Sequence, residues 1–203
     1  MKEGSPLIID IRGNPGGSTS YWEQNIVEPL LKRKMKAKEY LVFRKGAYVN
    51  YFRKAAKVYF KKSKSSFDYL PPEVLTDDYE LYKFYDTYGP SKKVAANFTG
   101  QIILLTDKNV YSASEAFAAF CKQTGFTTIY GTHTGGDGIG MHPAYFVLPN
   151  SKLVIRMPPA IGINNFGFAN EEVHTEPDVY YESTLGNWTE LIDYTINNLK
   201  KSI

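Results

Sequence analysis

Hydrophobic and polar positions follow two rhythms along the chain. Leu7-Ile8-Ile9-Asp10-Ile11 is a short aliphatic run closed by turn residues, the pattern of a strand buried on both faces. Arg12-Gly13-Asn14-Pro15-Gly16-Gly17 follows, a loop able to take unusual backbone angles. Ser18, Thr19 or Ser20 then caps a helix predicted to run to about Lys34, with Trp22, Ile26, Leu30 and Leu31 near helical spacing. Tyr40 to Phe43 is a second strand, Tyr48 to Lys62 a predicted helix, Pro71-Pro72 a break, and Thr76 to Tyr85 another predicted helix. Gln101 to Thr106 is a second strand of the buried type. It leads into a helix from about Ala113 to Thr124, which Gly125 stops as a left-handed C-cap with Phe126 packing back. Thr127 to Tyr130 is a strand, and Gly131 to Gly140 holds five glycines in ten residues. Tyr145 to Leu148 and Leu153 to Met157 read as a hairpin, and Asn187 to Lys200 as an amphipathic helix.

Strands alternating with helices predict an α/β layered domain. A length of 203 residues suits a single domain, 1–203, and the 46–90 stretch reads as an insertion on its core. Composition adds exclusions: 43% hydrophobic and 22% charged residues rule out disordered and fibrous classes. The longest apolar runs are strand-sized, far short of the roughly 20 residues that span a bilayer, and no secretory leader opens the sequence. Cys121 is the single cysteine, which excludes an internal disulfide and a cysteine-built zinc site. With three histidines besides, no metal and no cofactor is expected.

The net charge of +3 conceals an asymmetry. Lys32 to Lys64 holds 13 of the 24 basic residues and one acid, Glu39, whereas Asp68 to Asp86 holds six acids against Lys83. Basic residues interleaved with tyrosines can form a nucleic-acid surface, but no nucleic-acid motif accompanies them, and two segments that neutralise each other is the reading adopted.

The chemistry concentrates where the 101–106 strand turns into the next helix at Ser112. A serine there stands at the positive end of a helix beside free amides, which suits a nucleophile whose attack creates an oxyanion that the Ala113 amide can stabilise. On the residues alone an ordinary N-cap is the plainer reading, since Ser112 with Glu115 three residues on is a capping box. The Asn14 to Gly17 loop would supply a second amide if it lies nearby. His133, Asp137 and His142 in or beside the glycine loop offer a base, but the loop matches no phosphate-binding pattern.

Four segments carry a resemblance. Leu7 to Gly17, Phe98 to Thr106 with Tyr111-Ser112-Ala113-Ser114-Glu115-Ala116-Phe117, Gly131 to Gly138, and Glu176-Pro177-Asp178-Val179 together resemble the signatures, in order, of the carboxy-terminal processing peptidases (tail-specific proteases), a serine peptidase family that includes the tricorn core protease. The resemblance implies a crotonase-like α/β core with an inserted helical segment, and peptide-bond hydrolysis through an acyl-enzyme on Ser112. It implies Ala113 with Gly16 or Gly17 as oxyanion donors and peptide or protein as substrate, with an extracytoplasmic setting for the family. It leaves membrane association and oligomeric state open.

Two departures qualify it. One branch places a lysine base in the glycine loop, where this chain has Asp137, and a polar partner after the nucleophile, where it has Gln123. The tricorn-like branch is the closer match; it uses an upstream histidine assisted by an acid that aligns with Glu171. No histidine occurs before His133, so the expectation is a catalytic core whose base lies in a preceding part of a longer protein. The alternatives are a non-catalytic peptide- or ligand-binding module and an esterase. Ser114 is expected to point away from the attack site, and Tyr48, Tyr51 or Tyr59 of the insertion to line a substrate groove beside Ser112.

Overall fold

The computed structural model describes residues 4–55, 61–62, 70, 72–91 and 98–201. A four-stranded parallel sheet in the order β1-β5-β6-β10 forms its centre: β1 (Leu7–Asp10), β5 (Ile102–Thr106), β6 (Thr128–Gly131) and β10 (Val179–Tyr180). The crossover from β5 to β6 is helix α4 (Ala113–Thr124). One face of the sheet packs on α4 and on an amino-terminal helix made of α1 (Thr19–Trp22), a π-turn (Glu23–Val27) and α2 (Glu28–Leu30). The other face takes Leu191 and Ile192 of α6 (Glu190–Lys201) against Ile103, Leu105 and Tyr130. Burial on both faces explains why 102–105 is uninterrupted Ile and Leu.

Gly125 closes α4 as expected, at φ 65° with its N–H on the Cys121 carbonyl at 2.9 Å, and Phe126 packs back on Phe117 and Phe120. The Pro-Asp segment is a clamp. Asp178 accepts from the Ile129 amide at 2.8 Å and pairs with Lys122 at 2.6 Å, joining β6, β10 and α4.

A second, antiparallel sheet in the order β3-β4-β2-β9 comprises β2 (Met35–Arg44), β3 (Lys61–Lys62), β4 (Tyr79–Tyr88) and β9 (Ile161–Ile163). Here the structure corrects three expectations. The first helix stops at Leu30, and β2 begins at Met35, because Met35 and Ala37 turn inward between Lys36 and Lys38. Thr76 to Tyr85 is not helical: Tyr79 and Leu81 pack on one side of β4, Tyr82 and Phe84 on the other, a period of two in residues that favour strands. In the expected 48–62 helix, α3 (Val49–Ala55) is helical and Lys61–Lys62 is strand; 56–60 lie outside the described residues. Among the described residues between 46 and 90, a 3₁₀ turn, Pro72–Leu75, is the other helical element.

The basic and acidic segments are neighbours. β2 pairs with β4 over ten residues, and Lys45 donates from its side chain to the Asp77 carbonyl. A third pairing, β7 (Ala144–Val147) with β8 (Val154–Met157), is the expected hairpin, and it forms a sheet of its own. No helix among the described residues is long and apolar enough to cross a membrane.

Two predictions follow from this packing. Phe120 is buried against Trp22, Tyr88 and Phe126, so Phe120→Ala should cost about 3–5 kcal/mol in urea unfolding. Glu39 lies on the face of Ala37, diagonal to Asp86; burial, then Asp86, pushes its carboxyl up to about 8. A raised carboxyl contributes its full stability below its ordinary value of 4.5 and loses it as pH climbs through the raised one. Wild type should therefore lose stability relative to Glu39→Gln between pH 4.5 and 8, read as diverging urea midpoints.

Candidate active site

Three loops meet at the carboxyl ends of parallel strands: 11–18 after β1, 107–112 after β5 and 132–143 after β6. The first two are sewn together. The Gly13 amide donates to Asp107 Oδ1 at 3.0 Å and the Tyr111 amide to the Asn14 carbonyl at 3.2 Å. The third joins through the Gly135 amide on the Val110 carbonyl and the Ser112 amide on the Gly136 carbonyl, the latter at 3.0 Å.

Ser112 stands at φ 57°, ψ −122°, a conformation that costs a non-glycine residue of order 1–3 kcal/mol and is held by bonds on both sides. Its amide is fixed by Gly136, and its carbonyl accepts from Ala116 at 2.8 Å. Ser112 makes no side-chain cap bond, and Glu115 is fully buried with its carboxyl elsewhere, so the capping box does not form. The arrangement is a sharp strand-to-helix turn that lifts the serine hydroxyl out of the backbone's own hydrogen bonding. Ser114 is buried, its amide on the Tyr111 carbonyl.

Gly16 lies against this turn. A Cβ on it would meet Ser112 Cβ at 2.7 Å, the Tyr111 carbonyl at 2.8 Å and the Ala113 amide nitrogen at 3.1 Å, and its φ is 113°. No larger residue fits there. The Gly16 N–H is occupied by Asn14 Oδ1 at 3.0 Å. Among the described residues, neither the Ala113 amide nor the Gly17 amide is matched to an acceptor.

Glu171 sits on the short helix α5 (Asn170–Val173), with Oε2 3.1 Å from where a Cβ of Gly136 would stand. Near it, burial, then the charges of Asp137 and Glu171, pushes the Tyr111 phenol above its ordinary value. Burial, then Glu171, also raises Asp137, against Arg156 and His142. The residue that sequence reading did not single out is His174, one turn beyond Glu171. At φ 55° it lays its ring on Gly136 (Nε2 3.4 Å from the same Cβ point), with Nε2 3.1 Å from the Glu171 carbonyl. Its spacing of three from Glu171 was the available signal.

His133 is exposed, with its backbone carbonyl taken by Thr132 Oγ1. Gln123 binds the Lys38 backbone through both ends of its amide, eleven residues and so about 16 Å along α4 from Ser112. Burial raises the Cys121 thiol, which keeps it protonated. Tyr48 and Tyr51 are exposed on or beside α3, Tyr48 lining a shallow hollow with Phe43 and Pro159, and Tyr59 lies outside the described residues. No metal-binding group of three acids, histidines or cysteines occurs among the described residues. A cleft of about 370 Å³ runs beside α4 and α5, lined by Ala119, Gln123, Phe166, Phe168 and His174 among others.

Comparison with known proteins bears on the family and the fold. The model of peptidase family S41 matches residues 2–181. No curated protein sequence matches the chain. A solved candidate peptidase from Parabacteroides merdae ATCC 43184 is 21% identical with a TM-score of 0.64, over 96% of this chain and 51% of that one. Mature CPAF complexed with lactacystin is 16% identical, TM-score 0.65, over 97% and 43%. A lipoprotein from Streptococcus agalactiae is 18% identical, TM-score 0.53, over 98% and 55%. The chain thus spans about half the length of these proteins, and the likeness is one of fold.

The loops are joined behind the serine by Glu115. Its Oε1 accepts from Asn170 Nδ2 at 2.9 Å and Thr175 Oγ1 at 2.7 Å, while Asn170 Oδ1 accepts from the Gly138 and Ile139 amides. Burial raises the Glu115 carboxyl. A neutral amide can keep the acceptor, so Glu115→Gln should stay within about 1 kcal/mol of wild type in urea unfolding, whereas Glu115→Ala, which strands two buried donors, should lose about 2–5 kcal/mol.

Proposed function

The chain belongs to peptidase family S41, a family of serine peptidases, and on that premise we propose that it is the catalytic core of a serine endopeptidase working through an acyl-enzyme on Ser112. The observation that carries the proposal is the strained turn at Ser112 with Gly16 packed onto it and two unmatched amides beside it. In this reading Ser112 Oγ attacks the scissile carbonyl carbon, and its proton passes to a base and then to the departing amine. Water hydrolyses the ester by the same route in reverse. The oxyanion is received by the amides of Ala113 and Gly17; the Gly16 amide is already bound by Asn14, so Gly16 contributes closeness of approach. Glu171 is the acid that orients the base, and the base itself is a histidine outside these 203 residues. The layered arrangement is read as crotonase-like, and the substrate as peptide or protein.

The second reading is a peptide-binding module that retains the fold without a base. His174 favours neither, because its Nε2 is already engaged with the Glu171 carbonyl. A fluorophosphonate probe separates the two. Slow labelling at Ser112 is expected, abolished by Ser112→Ala, retained in Ser114→Ala and unchanged in His174→Gln. Casein hydrolysis should stay near the residual level of about 10³–10⁴ over water left when a triad member is missing. Brisk hydrolysis lost in Ser112→Ala would locate the base within the chain, and no labelling at all would favour the binding module.

A further inference from the structure

Trp188 stands just before α6, is 57% exposed, and belongs to none of the four clusters of the hydrophobic core. Its contacts lie with the start of the 11–18 loop. Asp10 and Arg12, two apart where β1 ends, fall on one side of the chain. Asp10 receives the guanidinium on both carboxylate oxygens, Nε on Oδ1 at 2.9 Å and Nη2 on Oδ2 at 2.7 Å. The same Nη2 donates to the Trp188 carbonyl at 2.8 Å, and the guanidinium carbon lies 5.2 Å from the indole centroid. Between these partners the Arg12 side chain is 5% exposed. The same ring bounds the next residue: a Cβ on Gly13, which stands at φ 71°, would be 3.4 Å from Trp188 Cη2.

Trp188 is itself presented by an anchored element. Glu190 accepts from the Thr184 amide at 2.7 Å and the Tyr181 phenol at 2.8 Å, and Leu191 is buried against the sheet. From Gly13 every link to Ser112 is short. The Gly13 amide is on Asp107, the Asn14 carbonyl takes the Tyr111 amide, Asn14 Oδ1 takes the Gly16 amide, and Gly16 lies against Ser112. A Cβ on Gly17 would meet nothing within 4 Å, so the Gly17 amide takes its direction from the residues before it. We propose that Trp188 is a positioning residue for the Gly17 amide: it clamps Arg12 and Gly13 and so fixes the loop that faces the serine. Trp188 lies beyond residues 2–181 matched by the family model, so the family signature does not specify it. The consequence for chemistry rests on the peptidase reading; the clamp itself does not.

Two readouts keep these apart. Hydrogen exchange by mass spectrometry follows the amides of residues 13–17 without chemistry at Ser112. Trp188→Ala should speed exchange there about tenfold, and Trp188→Phe, which keeps a ring over Arg12, should restore most of the protection. Leu185→Ala, at a fully exposed position of the same segment, should exchange like wild type. Thermal unfolding should match wild type in all three, because neither side chain belongs to the core. Fluorophosphonate labelling of Ser112 reads the consequence. In Trp188→Ala the limiting rate should fall about tenfold at an unchanged half-saturating probe concentration, because a displaced amide weakens stabilisation of the developing charge rather than probe binding. Trp188→Phe should recover most of that rate. Arg12→Lys, which loses the fork, should match Trp188→Ala, and the double variant should be no worse than either. Unchanged exchange at 13–17 in Trp188→Ala, or a limiting rate equal to wild type, would overturn the inference. So would a loss of thermal stability with no selective exchange at 13–17, which would make Trp188 a packing residue. Faster exchange in Trp188→Ala with no labelling of wild type would support the clamp and overturn the serine assignment.

Discussion

The carboxyl of Glu115, buried in the first turn of α4, ties that helix to chain 55 and 60 residues away, at Asn170 and Thr175. Asn170 passes the connection on to the amides of Gly138 and Ile139, and Gly138 lies so close to Glu115 that a Cβ would stand 2.4 Å from its Cγ. The turn bearing Ser112, the glycine loop and the segment bearing Glu171 and His174 are thereby one body. The unfavourable conformation of Ser112 is supported by this body, since the Gly136 carbonyl that holds its amide belongs to the loop that Glu115 secures. A buried carboxyl is costly to ionise, and burial raises this one; its Oε1 gathers two side-chain donors, from Asn170 and Thr175.

The parallel register does the rest of the assembly. With β1, β5 and β6 adjacent and running the same way, the loops that follow them all emerge at one edge of the sheet, where ligands of open α/β sheets bind. Bringing Asn14–Gly17 against Ser112 thus needs only that β1 pair with β5. Close approach is then allowed by Gly16, whose missing side chain leaves the space that Ser112 Cβ and the Ala113 amide occupy.

The antiparallel sheet has a different task. It sets the basic β2 beside β4 of the acidic segment, so blocks that lie apart along the sequence become adjacent strands, with Asp86 opposite Ala37 between Lys36 and Lys38. Part of this charge is turned inward, as at Glu39 and Asp86, where burial raises both carboxyls. The hairpin that leaves the glycine loop pairs with neither sheet, and its apolar faces are exposed.

Local features were legible in the sequence because neighbouring residues decide them. The uninterrupted aliphatic runs of β1 and β5, the stop of α4 at Gly125, the hairpin and the serine at a strand-to-helix turn are all settled within a few residues of themselves. The four motifs announced the family on the same terms. The sequence could not distinguish a capping box from a buried anchor at Glu115, since both ask for a glutamate three residues after Ser112; Asn170 and Thr175 decided it. Tyr79–Tyr88 reads with either period until β2 lies beside it, and ten paired residues then make it a strand. His174 gained its place by folding back on Gly136, and the Gly16 amide lost its freedom to Asn14 once the loop closed. Each of these rests on which distant group comes within hydrogen-bonding or packing distance, a property of the folded arrangement that no local pattern encodes.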